Sequence, residues 1–173
     1  YFVSHLITYI GNKRRLLPFI NKGIEIVKGR LKKNKLKSLD GFSGSGVVSR
    51  LLKYHSSNVI SNDFEQYTKT INTAYLANKS DVDQERLNKA INFLNKNKLV
   101  KSKSKYFITQ NYSPKNDNNI QAGERVFFTN QNARIIDNIR YLIDHEIDKD
   151  LRIYCLANLL VKSSIHNNTS GVF

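Results

Sequence analysis

Two acidic residues and the glycine-rich segment between them are the part of this sequence best suited to bind a nucleoside. The segment DGFSGSGVV runs from Asp40 to Val48, and a second acid, Asp63, ends the segment NVISND. In parallel α/β folds a glycine-rich turn after the first strand approaches the ligand, and an acid about 20 residues further on binds ribose hydroxyls. The order and spacing of these residues therefore predict a nucleoside site.

The glycine-rich loop departs from three common motifs that it partly matches. A P-loop would continue with Lys and then Ser or Thr, but Val47 and Val48 occupy those positions. The segment that starts at Gly44 reads G-x-G-x-x-S, one residue short of the dinucleotide fingerprint. The nucleophile elbow G-x-S-x-G fails because Ser45 stands two positions after Ser43. The loop therefore lacks the residues that bind a β- or γ-phosphate.

Asp40 at the mouth of the loop favours a cationic ligand, because a carboxylate repels an anion. S-adenosylmethionine (SAM) fits this requirement, since it carries a sulfonium and an α-ammonium and no phosphate. Two simpler interpretations remain open at this point. The loop alone is also typical of a tight turn without a ligand, and Asp63 is also a good N-cap for a helix that starts at Phe64.

Composition predicts a single globular protein that binds a polyanion. The chain has 173 residues, 28 Lys and Arg against 14 Asp and Glu, and a net charge of +14. Such an excess indicates nucleic acid as the partner, although a solvated lysine coat would give the same count. No apolar run is long enough for a membrane span, and we expect no membrane partner. The single Cys155 excludes an internal disulfide, which favours a cytoplasmic location.

The pattern of apolar residues predicts helices and two strands in the order of an α/β protein. We expect strands at 37–40 and 58–63, which would pair in parallel. A capping box of Asp81 and Gln84 predicts a helix start, and residues 98–128 read as loop or short strands. Further helices are predicted at 16–27, 46–55, 64–78, 131–146 and 150–165. Residues 1–80 would form the cofactor-binding part, and residues 81–173 would form a mainly helical extension.

Three short motifs together resemble one family. They are YIGNK at Tyr9–Lys13, DGFSGSG at Asp40–Gly46, and Asn62-Asp63. In this order they resemble the Dam-like (D12 class) DNA N6-adenine methyltransferases of restriction–modification systems. The segments GERVFFTNQNARIIDNIRYLI and NNTSGVF are also similar to members of this class. The resemblance implies a Rossmann-like SAM-dependent methyltransferase fold, SAM as cofactor, and methyl transfer to adenine in double-stranded DNA.

The resemblance also implies roles for individual residues. Tyr9 would wall the cofactor, Lys13 would reach its carboxylate, and Phe42 would pack beside it. The acids would accept hydrogen bonds from its ammonium and its ribose, and the glycines would make room for it. The implied cofactor-binding residues are Tyr9, Gly11, Lys13, Asp40, Phe42, Gly44, Gly46 and Asp63. We expect DNA contacts in the basic segment that also carries Tyr106, Phe107 and Tyr112, at Lys101, Lys103, Lys105, Lys115 and Arg125. No metal site and no catalytic triad are predicted, because the four histidines lack ligand spacing.

One motif of this family is missing. Its members hold the target adenine with (Asp/Asn)-Pro-Pro-(Tyr/Phe), and the only two prolines here, Pro18 and Pro114, are far apart. We therefore expect an incomplete fold, with the catalytic motif after Phe173 in a C-terminal part of the same enzyme. These 173 residues alone would be inactive. The alternatives are a non-catalytic fragment that binds SAM or DNA, and a SAM-dependent methyltransferase acting on RNA or protein.

Overall fold

A computed structural model describes residues 13–99 and 106–168 of the chain. The chain divides into two compact units, one up to Ala77 and the other from Asn78 onward. The functions expected for residues 1–80 and 81–173 remain predictions.

The first unit contains a parallel strand pair and three helices. A 3₁₀ turn at Lys13–Leu16 leads into the first helix. The elements that follow are α1 (Leu17–Leu31), β1 (Leu36–Asp40), α2 (Val47–His55), β2 (Ser56–Ser61) and α3 (Gln66–Leu76). β1 and β2 pair in parallel, as the sequence predicts. The fold is therefore mixed α/β. The described residues hold only these two strands, so the larger Rossmann-like sheet stays a prediction.

The two faces of this strand pair have different surroundings. One face packs against α2, where the Ser49 hydroxyl contacts Asp40 at 2.6 Å and Ser61 at 3.1 Å. On the opposite face Leu39 and Ile60, which are paired in register, are 67% and 60% exposed. Parallel sheets generally have both faces covered by other elements. The first unit differs from this pattern, because the apolar side chains of Leu39 and Ile60 remain exposed.

The second unit is helical in its described residues. After a 3₁₀ turn at Lys79–Asp81 come α4 (Gln84–Asn97), α5 (Phe107–Tyr112), α6 (Asn130–Glu146) and α7 (Lys149–Ser163). Its core is formed by apolar side chains of α4, α6 and α7 and by the residue that follows α6. These residues are Ala90, Leu94, Ile143, Ile147, Leu151 and Cys155. Cys155 is buried, as predicted, and burial raises the pKa of its thiol. None of the helices in the described ranges combines the length and the apolar character that a membrane crossing requires.

Four predictions about local structure are wrong. The N-cap of α4 is Asp83, whose carboxylate accepts a hydrogen bond from the Arg86 N–H at 3.0 Å. Asp81, which was predicted as this cap, lies in the preceding 3₁₀ turn and accepts a hydrogen bond from the Asn78 side chain. β2 ends at Ser61, before Asp63. Phe64 does not lie on the apolar face of α3; it precedes the helix and is 95% exposed. In addition, the segment predicted as loop or strands contains the short helix α5.

Candidate functional site

The first unit contains a cavity of about 420 Å³ beside the glycine-rich loop and the end of β2. Its wall is formed by the loop, the residues that follow β2, and one side of α3. The lining residues are Ser43, Ser61, Asn62, Asp63, Thr68, Lys69, Asn72, Thr73, Leu76 and Ala77. Small-molecule sites usually measure about 300–1,000 Å³, so the cavity is large enough for a nucleoside cofactor.

Three backbone N–H groups of the glycine-rich loop bind acceptors within the protein. Ser43 N–H donates to the Asn62 carbonyl at 2.9 Å, and Gly46 N–H donates to the Ser43 carbonyl at 2.8 Å. Gly44 N–H donates to the carboxylate of Asp63 at 2.7 Å. A phosphate-binding loop instead directs its N–H groups toward the ligand. These three donors are not available to a phosphate, which favours a ligand without one.

The two acids lie at the same end of the strand pair. Asp40 is the last residue of β1 and is in register with Ser61, the last residue of β2, which Asp63 closely follows. Both carboxylates are half-buried. One oxygen of Asp63 accepts from Gly44 N–H, and the other accepts from Glu65 N–H at 3.2 Å. A carboxylate has about four acceptor positions, so each acid can still accept hydrogen bonds from a ligand.

The structure excludes one of the two interpretations of Asp63, that of a helix cap, and leaves the ribose-binding role a prediction. The N-cap position of α3 belongs to Glu65, so Asp63 is not the cap of that helix. Its carboxylate instead bonds the glycine-rich loop and lines the cavity. Asp40 does not line the cavity, and its carboxylate bonds Ser49 of α2.

Several lining residues were not anticipated from the sequence, and most of these lie on α3. Thr68, Asn72 and Leu76 recur at every fourth position and so share one side of that helix. Thr68 and Asn72 are nevertheless buried polar residues. Polar residues that recur at helical spacing opposite a glycine-rich loop are the signal that would have revealed them. Asn72 also donates a hydrogen bond to the Ser43 hydroxyl of the loop at 2.9 Å.

The polar loop between α5 and α6, residues 113–129, is held in place by its own carboxylates. Glu124 accepts hydrogen bonds from the backbone N–H groups of Gln121 at 2.9 Å and Lys115 at 3.1 Å, and these bonds lower its pKa. Asp117 accepts a hydrogen bond from Asn130 N–H, at the start of α6. Arg125 lies next to Glu124 in the chain, and its guanidinium lies 5.6 Å from the ring centroid of Tyr112, a cation–π distance.

The short helix that precedes this loop depends on a buried acid. Asp137 of α6 accepts hydrogen bonds from the N–H groups of Ile108 and Thr109, at 3.0 and 2.8 Å, and from the Thr109 hydroxyl. These N–H groups lie in the first turn of α5 and have no partner within the helix. Asp137 therefore stabilises α5, which carries the exposed Phe107.

Comparison with known proteins gives the family of the chain. The family model of the D12 class N6 adenine-specific DNA methyltransferases matches residues 9–173. The chain belongs to this family. The resemblance that the three sequence motifs indicated is thereby confirmed. No solved structure matches the chain at a significant level.

Curated relatives in this family are methyltransferases and modification methylases. The chain is 32% identical to modification methylase LlaI of Lactococcus lactis subsp. lactis, over 95% of this chain and 26% of the relative. It is 29% identical to the type II methyltransferase M.NlaIII of Neisseria lactamica, over 95% of this chain and 47% of the relative. It is also 29% identical to the type II methyltransferase M.CviAII of Paramecium bursaria Chlorella virus 1, over 96% of this chain and 48% of the relative. The chain thus spans between about a quarter and a half of the length of these relatives.

The expected site residues differ in where the structure places them. Asp63 lines the cavity and accepts a hydrogen bond from Gly44 N–H, whereas Gly44 itself does not line it. Lys13 is exposed in the first 3₁₀ turn, and Phe42 is 88% exposed, which excludes a core role for this phenylalanine. Outside the described residues lie Tyr9, Gly11, Lys101, Lys103 and Lys105.

The other expected site residues lie within the described part of the chain. Lys115 and Arg125 are both exposed on the polar loop of the second unit. Gly46 is buried and does not line the cavity. Within the described ranges, no group of His, Cys, Asp and Glu side chains is arranged to hold a metal ion. The roles expected for all of these residues remain predictions.

Proposed function

We propose that this chain forms the SAM-binding part of an enzyme that transfers a methyl group to N6 of adenine in double-stranded DNA. The observation that carries the proposal is the state of the glycine-rich loop. The N–H groups of Ser43, Gly44 and Gly46 are bonded within the protein, while two carboxylates with spare acceptor positions lie at the same end of the strand pair. Such an arrangement suits a nucleoside that carries hydroxyls and a cation and lacks phosphate.

We propose the following contacts with SAM, in which Asp63 is the residue that also lines the cavity. Asp63 would accept hydrogen bonds from the ribose hydroxyls, and Asp40 would accept from the ammonium. Lys13 would pair with the carboxylate, and the exposed ring of Phe42 would pack against the cofactor. Bound SAM would supply the electrophilic methyl group. We propose that β1, α2 and β2 are the start of a Rossmann-like sheet, because a parallel pair with an intervening helix is its repeating unit.

DNA is the proposed partner of the basic residues. The net charge of +14 favours a polyanion, and the exposed Lys115 and Arg125 lie on a loop that Glu124 and Asp117 hold in place. An enzyme that modifies a base inside a duplex must turn that base out of the stack. We propose that a segment outside these 173 residues captures the adenine, since they contain no Pro-Pro pair.

The absence of a Pro-Pro pair from these residues also favours a second candidate function, a fragment that binds SAM or DNA without turnover. Methyl transfer by the complete protein that contains these residues distinguishes the two. Transfer of tritiated methyl groups from SAM to adenine in duplex DNA supports the enzyme. SAM binding without transfer supports the non-catalytic fragment.

The cofactor is tested separately by calorimetry. We expect the complete protein to bind SAM and to bind ATP at least about 10-fold more weakly, because three loop N–H groups are already bonded within the protein and the carboxylate of Asp40 repels a phosphate. Tighter binding of ATP than of SAM would contradict the proposal.

A further inference from the structure

We infer that Asn72 is a positioning residue, which holds the glycine-rich loop in the conformation that forms the cofactor cavity. The inference rests on the proposed SAM site and adds a residue that the sequence motifs do not contain. It depends on two contacts of one buried side chain, with Ser43 and with Gly46.

The first contact is a buried hydrogen bond between α3 and the loop. The Asn72 side chain is on α3, is 6% exposed, and donates from Nδ2 to the Ser43 hydroxyl at 2.9 Å. Ser43 is itself buried and lines the same cavity as Asn72. A buried amide group is strongly disfavoured without a partner, so this bond fixes the distance between helix and loop.

The second contact is one of two reasons why position 46 has no side chain, the other being its left-handed backbone. Gly46 has φ +75° and precedes the first residue of α2, and a Cβ placed on it would collide with Oδ1 of Asn72. Since Gly46 does not line the cavity in the described residues, its missing side chain makes room for Asn72. This differs from the expectation that both Gly44 and Gly46 make room for the cofactor.

The two contacts complement the bond between Asp63 and Gly44. Asp63 holds the centre of the loop, while Asn72 holds Ser43 and packs over Gly46. The loop therefore keeps the left-handed backbone of Gly44 and Gly46 before a ligand arrives. Fixing a loop in its bound conformation in advance raises affinity, because the ordering cost is not incurred on binding.

The test compares SAM affinity in single and double variants of the complete protein. We expect Asn72→Ala and Ser43→Ala each to weaken SAM binding about 10-fold. The double variant should bind about as weakly as either single variant, because both remove the same interaction. Thr70→Ala is the matched control, since Thr70 is on α3 and does not line the cavity.

A second pair of variants tests the contact with Gly46. Gly46→Ala should lower the melting temperature sharply, and adding Asn72→Ala should restore part of that loss, because the collision is removed. Melting temperature is measured alongside SAM affinity for every variant. A folded Asn72→Ala protein with the SAM affinity of the parent would overturn the inference. If Asn72→Ala does not fold, the affinity of Ser43→Ala decides in the same way.

These outcomes separate the inference from the proposed function. If the parent protein does not bind SAM, the proposed cofactor is wrong. The melting temperatures of the Gly46→Ala variants would then still show whether Asn72 packs against position 46. Equal losses in Gly46→Ala with and without Asn72→Ala would remove the structural basis of the inference.

Discussion

The carboxylate of Asp63 accepts a hydrogen bond from the backbone N–H of Gly44 at 2.7 Å, so the residues after β2 hold the loop that follows β1. Two segments that are separate in sequence are thus joined by a hydrogen bond to a residue that lines the cavity. Asp63 lines this cavity and has acceptor positions left for a ligand. The same carboxylate can thus shape the site and bind the nucleoside.

Replacement of Asp63 by Ala should weaken SAM binding by about 1–3 kcal/mol, because polar partners lose their acceptor. Isothermal titration calorimetry on the complete protein measures this change. Glu65→Ala is a suitable control, since Glu65 is the N-cap of α3 but its side chain makes no capping hydrogen bond. Unchanged affinity in Asp63→Ala would mean that Asp63 only shapes the turn.

DNA binding should weaken steeply as salt is added, with a log–log slope of about −0.9 for each phosphate contacted. Substitution of Lys101, Lys103 and Lys105 by Gln should reduce both the affinity and the slope. A second variant, with Lys115 and Arg125 replaced by Gln, tests the described loop in the same assay. Lys89→Gln is the control, because Lys89 already pairs with Glu85 on α4. If neither variant changes the slope, DNA binds elsewhere on the chain.

The 173 residues alone should transfer no methyl group to DNA. They contain no Pro-Pro pair, and the exposed Leu39 and Ile60 make the isolated chain prone to aggregate. The measurement is tritium incorporation from labelled SAM into adenine of duplex DNA, with Gly44→Asp as the inactive control. Incorporation above that control would show that a catalytic group lies within these residues.

His55 should make the stability of the first unit depend on pH. Its side chain is 3% exposed, with Nε2 at 2.7 Å from Asn21 Oδ1 and Nδ1 at 3.1 Å from Glu25 Oε1. Burial lowers the pKa of His55 below 6.5, although Glu25 acts in the opposite direction. The unfolded chain therefore binds the proton more readily than the folded chain as the pH falls below 6.5.

Stability should accordingly decrease as the pH is lowered from about 7 to 5, by at most about 1.4 kcal/mol per pH unit for one proton. Urea unfolding at several pH values measures this dependence. His55→Gln should flatten the curve, whereas His166→Gln, at an exposed position, should not. A parent protein that becomes more stable below pH 6.5 would contradict the predicted direction.

Sequence patterns predicted the elements of this fold better than the contacts between them. The helix that ends at His55 and the parallel pairing of the strands follow from apolar spacing and element order. Asp81 and Asp83 are two acids close to one helix start, and only the hydrogen bond to Arg86 N–H distinguishes them. The exposed Phe64 was misassigned because it continues the helical spacing of α3 beyond the actual helix start.

Of the acids and glycines expected at the site, Asp63 lines the cavity and bonds Gly44, whereas Asp40 and Gly46 do not line it, and the contacts that support the loop were not predicted. Asp63 was identified by its spacing from the loop, which reflects a recurring arrangement of strands and ligand. Asn72 was missed because its partners, Ser43 and Gly46, are distant in sequence. Periodicity within one helix reports which side faces inward, and it does not report which atom a polar side chain meets there.

The contact between Asn72 and Gly46 also limits the order in which these positions can evolve. A larger residue at position 46 collides with Asn72 as long as Asn72 is present. A smaller residue at position 72 leaves Ser43 without its donor and weakens SAM binding as inferred above, but it collides with nothing. Lineages in which position 46 is no longer glycine should therefore have changed position 72 first, and the two positions should covary across the family.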